Sequence, residues 1–164
     1  MVQTADVLCV SSEEKARFLS SPCRLELALL EFSATMAAMH DYLAKAHENL
    51  AGADSELQYG RTNSCARSAY YACFHAAIAA LLHAGLTAPD PARGWGHDWV
   101  DASFVGQLLQ RRKLYSASLR RILPDLLVLR HKVDYRVTHV SQREAQQAIC
   151  SAQTFVQAVT MHRQ

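Results

Sequence analysis

Apolar residues recur at intervals of three and four along most of the chain, and nowhere do they alternate with polar ones over the length of a strand. In a helix those intervals put side chains on one face, so the pattern predicts helices and no sheet. A short helix is expected to open at Ser11, where "SSEE" sets Glu14 three residues on as a capping box. The first long helix is expected to begin at Ser21-Pro22, an N-cap followed by proline in the first turn. Leu25, Leu29, Phe32, Met36, Met39 and Leu43 then form its stripe, and "AGADSELQYG" at 51–60 reads as the turn that ends it.

A second long helix, over 62–84, contains no acidic residue. It carries two adjoining stripes: Ala66, Tyr70, Cys73, Phe74, Ala77 and Leu81 on one, Arg67, Tyr71, His75, Ile78 and Leu82 on the other. A helix apolar nearly all round is buried on most sides, so this one is expected at the centre of the fold. Gly85 ends it, and "TAPDPARGWG" is the one plainly irregular loop.

A shorter helix is expected over 98–110, followed by the basic segment "QRRKLYSASLRRIL". A fourth long helix is expected over 116–135 with Pro124 inside it, where proline would kink the axis. Ser141 and Glu144 form a second capping box, opening a final helix to about 161 with Ala145, Ala148, Ile149, Ala152, Phe155 and Val159 on its stripe. The expected architecture is all-α, an up-and-down bundle of four to five helices in a single domain over 1–164.

Composition fits that picture. Half of the 164 residues are apolar, a fifth are charged, and Gly and Pro number 6 and 4. The chain is long enough for one core, and nothing in it resembles a long disordered tract. The N-terminus is too acidic and its apolar run too short for a signal peptide, and the longest uncharged stretch, 68–89, reads as a packed core helix rather than a membrane span. Cysteines 9, 23, 65, 73 and 150 are odd in number and form no C-x-x-C, so no disulfide framework is expected. A soluble, cytoplasmic protein is the expectation.

Charge changes the picture more. The formal net charge is only +2, but residues 102–143 hold nine basic side chains against Asp125 and Asp134, while residues 1–60 hold nine acidic against four basic. A basic half invites a polyanion, nucleic acid first, although a solvated face paired with the acidic half accounts for it equally well. Arg111, Arg112, Arg120, Arg121, Lys132 and Arg136 are the candidates for nucleic-acid contact.

Candidate chemistry gathers in "LPDLLVLRHKVDYRVTH" at 123–139. Leu119, Ile122, Leu123 and Leu126 mark one face, and Arg130 follows four residues after Leu126, with Asp134 four beyond it. An arginine on a core stripe is either half of a structural ion pair or a phosphate ligand whose planar fork donates several hydrogen bonds. His131 is a candidate general acid or base, or an inert surface histidine. Tyr135 is a core-edge ring or a reactive phenol, and His139 lies past the helix end, from where folding back toward Arg130 is an open option. There is no Gly-rich phosphate loop, no H-E-x-x-H and no G-x-S-x-G. His40 and His47 lack a third ligand, so neither metal nor cofactor is expected.

The order of the parts resembles a known family. "YLAKAHENLAGADSELQYGRTNSCARSAYYACFHAAIAALL", then "GHDWVDASF", "LVLRHKVDY" and "AQQAICSAQTFVQAV" together are similar to the HEPN superfamily (higher eukaryote and prokaryote nucleotide-binding), in its small stand-alone bacterial branch, over residues 42–159. The parts that carry it are "RSAYYACFHAA", His97 before Phe104, and Arg130 to Asp134-Tyr135. The resemblance implies a helical bundle that forms homodimers. It also implies activity on RNA or nucleotide, in many members as a metal-independent endoribonuclease of toxin–antitoxin or phage-defence systems, and in stand-alone members a nucleotidyltransferase partner. The family's catalytic motif is an arginine, four to six intervening residues and a histidine. Arg130 matches the arginine and His131 its polar follower, but Tyr135, Arg136 and Val137 stand where the histidine belongs. The resemblance therefore implies either a ribonuclease in which His131, Tyr135 or His139 substitutes beside Arg130 and Asp134, or a non-catalytic module binding RNA, nucleotide or a nucleotidyltransferase. A bundle whose Arg130–Asp134 pair only orders an interface is the third reading.

Overall fold

A computed structural model of the protein describes residues 22–90, 92–135 and 139–162. Among the described residues five α-helices make up an all-α, up-and-down bundle: α1 (Pro22–Gln58), α2 (Thr62–His83), α3 (His97–Ser103), α4 (Ile122–Tyr135) and α5 (Gln142–His162). Among the described residues there is no strand, and no helix is long and apolar enough to cross a membrane. The helix expected at Ser11 and the N-cap expected at Ser21 lie outside the described residues.

The chain divides into two compact units, 1–35 and 36–164. Of the first, Leu25, Leu29 and Phe32 are exposed side chains. The second unit is built around α2, which packs most extensively on α5 and next on α4. Both apolar stripes of α2 account for this: Ala66, Tyr70, Cys73, Ala77 and Leu81 are fully buried, and Ile78 and Leu82 are buried on the adjoining face. The stripe of α5 is buried throughout, with Phe155 against Phe104 at a centroid distance of 4.9 Å. Within this unit Met39, Leu43, Ala46 and Ala53 of α1 complete the core.

Three expectations are corrected. Helix α1 does not turn at 51–60 but continues to Gln58, because Ala51 and Ala53 flank the single Gly52 and Ala53 is fully buried. The break comes at Gly60, whose φ of +71° is a conformation glycine adopts without a Cβ penalty. The helix expected over 98–110 is α3 followed by a π-helical stretch, Phe104–Arg111, in which the Arg112 amide reaches back five residues to the Gln107 carbonyl at 3.0 Å. Positions four and five apart then share a face, which buries Phe104, Leu108 and Leu109 together.

The third correction concerns Pro124. The expected 116–135 helix is a short 3-10 turn, Ala117–Arg121, followed by α4 from Ile122. Pro124 is thus in the first turn of α4, where an amide has no partner within the α-helix, and no kink in a helix interior results. The Ser116 hydroxyl opens the 3-10 turn by accepting from the Ser118 amide at 3.3 Å.

Candidate functional site

The residues with the most chemistry to offer come from α2, α3 and α4. On α4, Arg130 and Asp134 are one turn apart and both point inward far enough to be only 17 % and 15 % exposed. Arg130 Nε lies 2.8 Å from Asp134 Oδ2. The contact is an ion pair rather than an aligned hydrogen bond, since that N–H finds no acceptor in line with it. The other carboxylate oxygen belongs to α2: Asp134 Oδ1 accepts from Arg67 Nη2 at 2.7 Å and from Arg67 Nε at 3.0 Å. Two guanidinium groups therefore surround one carboxylate. Arg130 also lies over the Tyr71 ring at 5.8 Å, and its Nη2 is 3.4 Å from the Tyr71 hydroxyl, a long contact.

Beside this pair is a second polar group. Tyr70 is buried in α2, its ring 5.3 Å from that of Tyr71, and its hydroxyl is 2.5 Å from His97 Nδ1 at the start of α3. Burial pushes the Tyr70 hydroxyl up, so it keeps its proton. Burial also holds His97 below its usual value, helped by the Arg130 guanidinium and by His131 and opposed by Asp98. His97 is thus a neutral imidazole at neutral pH, in the electrostatic reach of Arg130. One turn on, Asp101 keeps Oδ1 out of solvent with no hydrogen-bond partner, and burial raises its pKa, with Asp98 adding to the effect.

The remaining sequence-derived candidates are dispersed. His131 and Tyr135 are exposed on the outer side of α4, where their rings meet edge-on at 5.8 Å and line an open groove with Val128 and Lys132. His139 does not fold back to Arg130: its Nδ1 is 3.2 Å from the Asn63 side-chain amide at the start of α2. Asn63 Oδ1 accepts from the Val140 amide, and Thr62 donates to the Val140 carbonyl, so this end of the chain is tied to α2. Lys132 bonds Glu144 at 2.8 Å and Arg121 pairs with Asp125 at 3.3 Å. Arg112 donates to the Ala84 carbonyl at 2.6 Å, closing the C-terminus of α2. Arg111 and Arg120 are exposed, and Arg136 lies outside the described residues.

Sequence reasoning found Arg130 and Asp134 from their four-residue spacing. It did not place Arg67, Tyr71 or Tyr70 in the site, because they lie some sixty residues away on a stripe that reads as core. The available signal was Arg67, a charge on an otherwise apolar helix.

A protein-family model described as the HEPN domain matches residues 39–162 of the 164, a span that includes every described group of this cluster. No curated protein matches the chain closely enough to count as a relative.

Proposed function

The chain belongs to the HEPN domain family, and from that membership we propose that the protein holds single-stranded RNA through a backbone phosphate at Arg130. The observation that carries this reading is the pairing of two guanidinium groups, Arg67 and Arg130, with a single carboxylate. A net positive charge and several N–H donors remain at a half-buried place, where an anion gains more than on an open surface. Asp134 and Tyr71 hold Arg130 in position, and the exposed Arg111 and Arg120 add a longer-range attraction that weakens with salt.

A second reading is metal-independent cleavage of that RNA, and one observation favours it. His97 supplies a neutral imidazole near Arg130, in a chain whose motif position has no histidine. In this reading Arg130 offsets the charge that builds on phosphorus during attack by the neighbouring ribose hydroxyl, and an imidazole moves the protons. A role in a toxin–antitoxin or defence system belongs to this reading. A second copy of the chain would pack on the outer side of α4, where Val128 and Tyr135 are 70 % and 76 % exposed. A nucleotidyltransferase partner would reach the same exposed phenol.

The test is a titration of purified protein into end-labelled single-stranded RNA with a chelator present, read by anisotropy and then on a denaturing gel. Saturable binding with intact RNA supports the first reading, and binding with cleavage supports the second. Absence of binding contradicts both.

A further inference from the structure

A continuous line of partly buried rings leads away from Arg130, most of them resting against the core. The Tyr71 ring beneath its guanidinium is stacked on His75 at 6.1 Å, and His75 meets Tyr42 of α1 at 6.0 Å. Tyr42 meets Trp95 edge-on at 6.2 Å, and Trp95 meets Trp99 of α3 at 5.5 Å. None of these five rings is fully buried and none is fully exposed. Two cations sit over the line: Arg130 at the Tyr71 end and Lys45, whose ammonium is 5.2 Å from the Tyr42 centroid.

Tyr42, Tyr71, Trp95 and Trp99 pack one side against the core and keep part of their surface open, and two of them, Tyr71 and Tyr42, also carry a cation over the ring. A membrane or protein contact would favour an unbroken apolar patch. Open ring surface with a cation at Tyr71 and another at Tyr42 suits a chain that carries both bases and phosphates, because every base has a π-face and every linkage a negative charge. His75 suits such a track: burial, with Lys45 beside it, keeps the imidazole neutral, so its face carries no ammonium-like hydration.

We propose that the line Tyr71–His75–Tyr42–Trp95–Trp99 is a stacking track for the bases of single-stranded RNA, entered from the phosphate held at Arg130. The proposal rests on the RNA-binding reading given above and names where the bases lie. Lys45 then contacts a phosphate between successive bases, and Asn49, within 3.4 Å of His75 Nδ1, fixes that ring.

The chain's two tryptophans are both in this track, so their emission reports on it directly. The experiment titrates single-stranded oligouridylate RNA into the full chain and follows tryptophan emission and the anisotropy of a labelled RNA in parallel. The expected result is saturable quenching with the same midpoint as the anisotropy change. Trp95→Ala is expected to weaken binding by about tenfold or more, and Trp95→Phe, which keeps a ring and the packing beneath it, to restore most of it. An anisotropy change with unaltered tryptophan emission, and wild-type affinity in Trp95→Ala, would overturn the track while leaving RNA binding at Arg130 intact. No anisotropy change at all would remove both.

Discussion

Arg67 of α2 and Arg130 of α4 share the one carboxylate of Asp134, each taking a different oxygen at 2.7 and 2.8 Å. The sharing joins two helices and leaves positive charge in excess. Asp134 is accordingly a brace between the two helices, and under the proposed RNA-binding reading it would also compete with a phosphate for Arg130.

Replacing Asp134 with Asn separates the two roles. The amide oxygen still accepts from Arg67, but the charge facing Arg130 is gone. Thermal or denaturant unfolding is expected to show a loss of about 1 kcal/mol, modest because Arg67 is half exposed. RNA affinity, measured by anisotropy, is expected to rise roughly threefold or more as a competing carboxylate leaves the site. Unchanged stability together with unchanged affinity would mean that Asp134 does neither.

His97 makes the fold sensitive to mild acid. Its folded-state pKa is depressed, first by burial and then by Arg130 and His131, against the opposing Asp98. Below its usual value near 6.5 the unfolded chain takes up a proton that the folded chain refuses, so stability falls as pH drops from 7 toward 5. His75, depressed by burial and Lys45, acts in the same direction. The melting temperature of wild type is expected to decline over this interval, and that of His97→Gln to decline less. Parallel declines would show that His97 titrates normally.

Glu144 responds in a lower window. Its carboxylate accepts from Lys132 and from both the amide and hydroxyl of Ser141, and these bonds, Lys132 first, pull its pKa from 4.5 to about 2. A depressed carboxylate contributes stability that is whole above 4.5, fades as pH falls, and is gone below about 2. The difference in melting temperature between wild type and Glu144→Gln should therefore be largest near neutrality and shrink between pH 4.5 and 2. A difference that does not change over that window would contradict the assignment.

Helix periodicity makes much of the fold legible in the sequence. The α5 stripe of Ala145, Ala148, Ile149, Ala152, Phe155 and Val159 is buried at every position, and the Ser141–Glu144 capping box forms, with the Glu144 amide 3.2 Å from the Ser141 hydroxyl. What was not legible depends on tertiary context. Gly52 resembles a breaker in the sequence, yet its alanine neighbours and the burial of Ala53 carry α1 past it. The π-helical stretch at 104–111 follows from fitting three large apolar residues to one face of the core, which no local propensity announces. At the site, Arg130 and Asp134 were visible because they are neighbours on one helix. The hold of Arg67 on Asp134, the Tyr70–His97 bond and the capture of His139 by Asn63 all link residues far apart in sequence, so spacing carries no trace of them.

The central claim, that Arg130 is a phosphate ligand, is tested most directly by one comparison. Single-stranded RNA is titrated against wild type and Arg130→Gln over a series of salt concentrations, with chelator present and folding of each protein checked by circular dichroism. Loss of one charge-assisted contact is expected to weaken binding about tenfold and to lower the slope of log affinity against log salt by about 0.7, the value for one phosphate contact on a single strand. Equal affinity and equal slope in a folded Arg130→Gln would contradict the account.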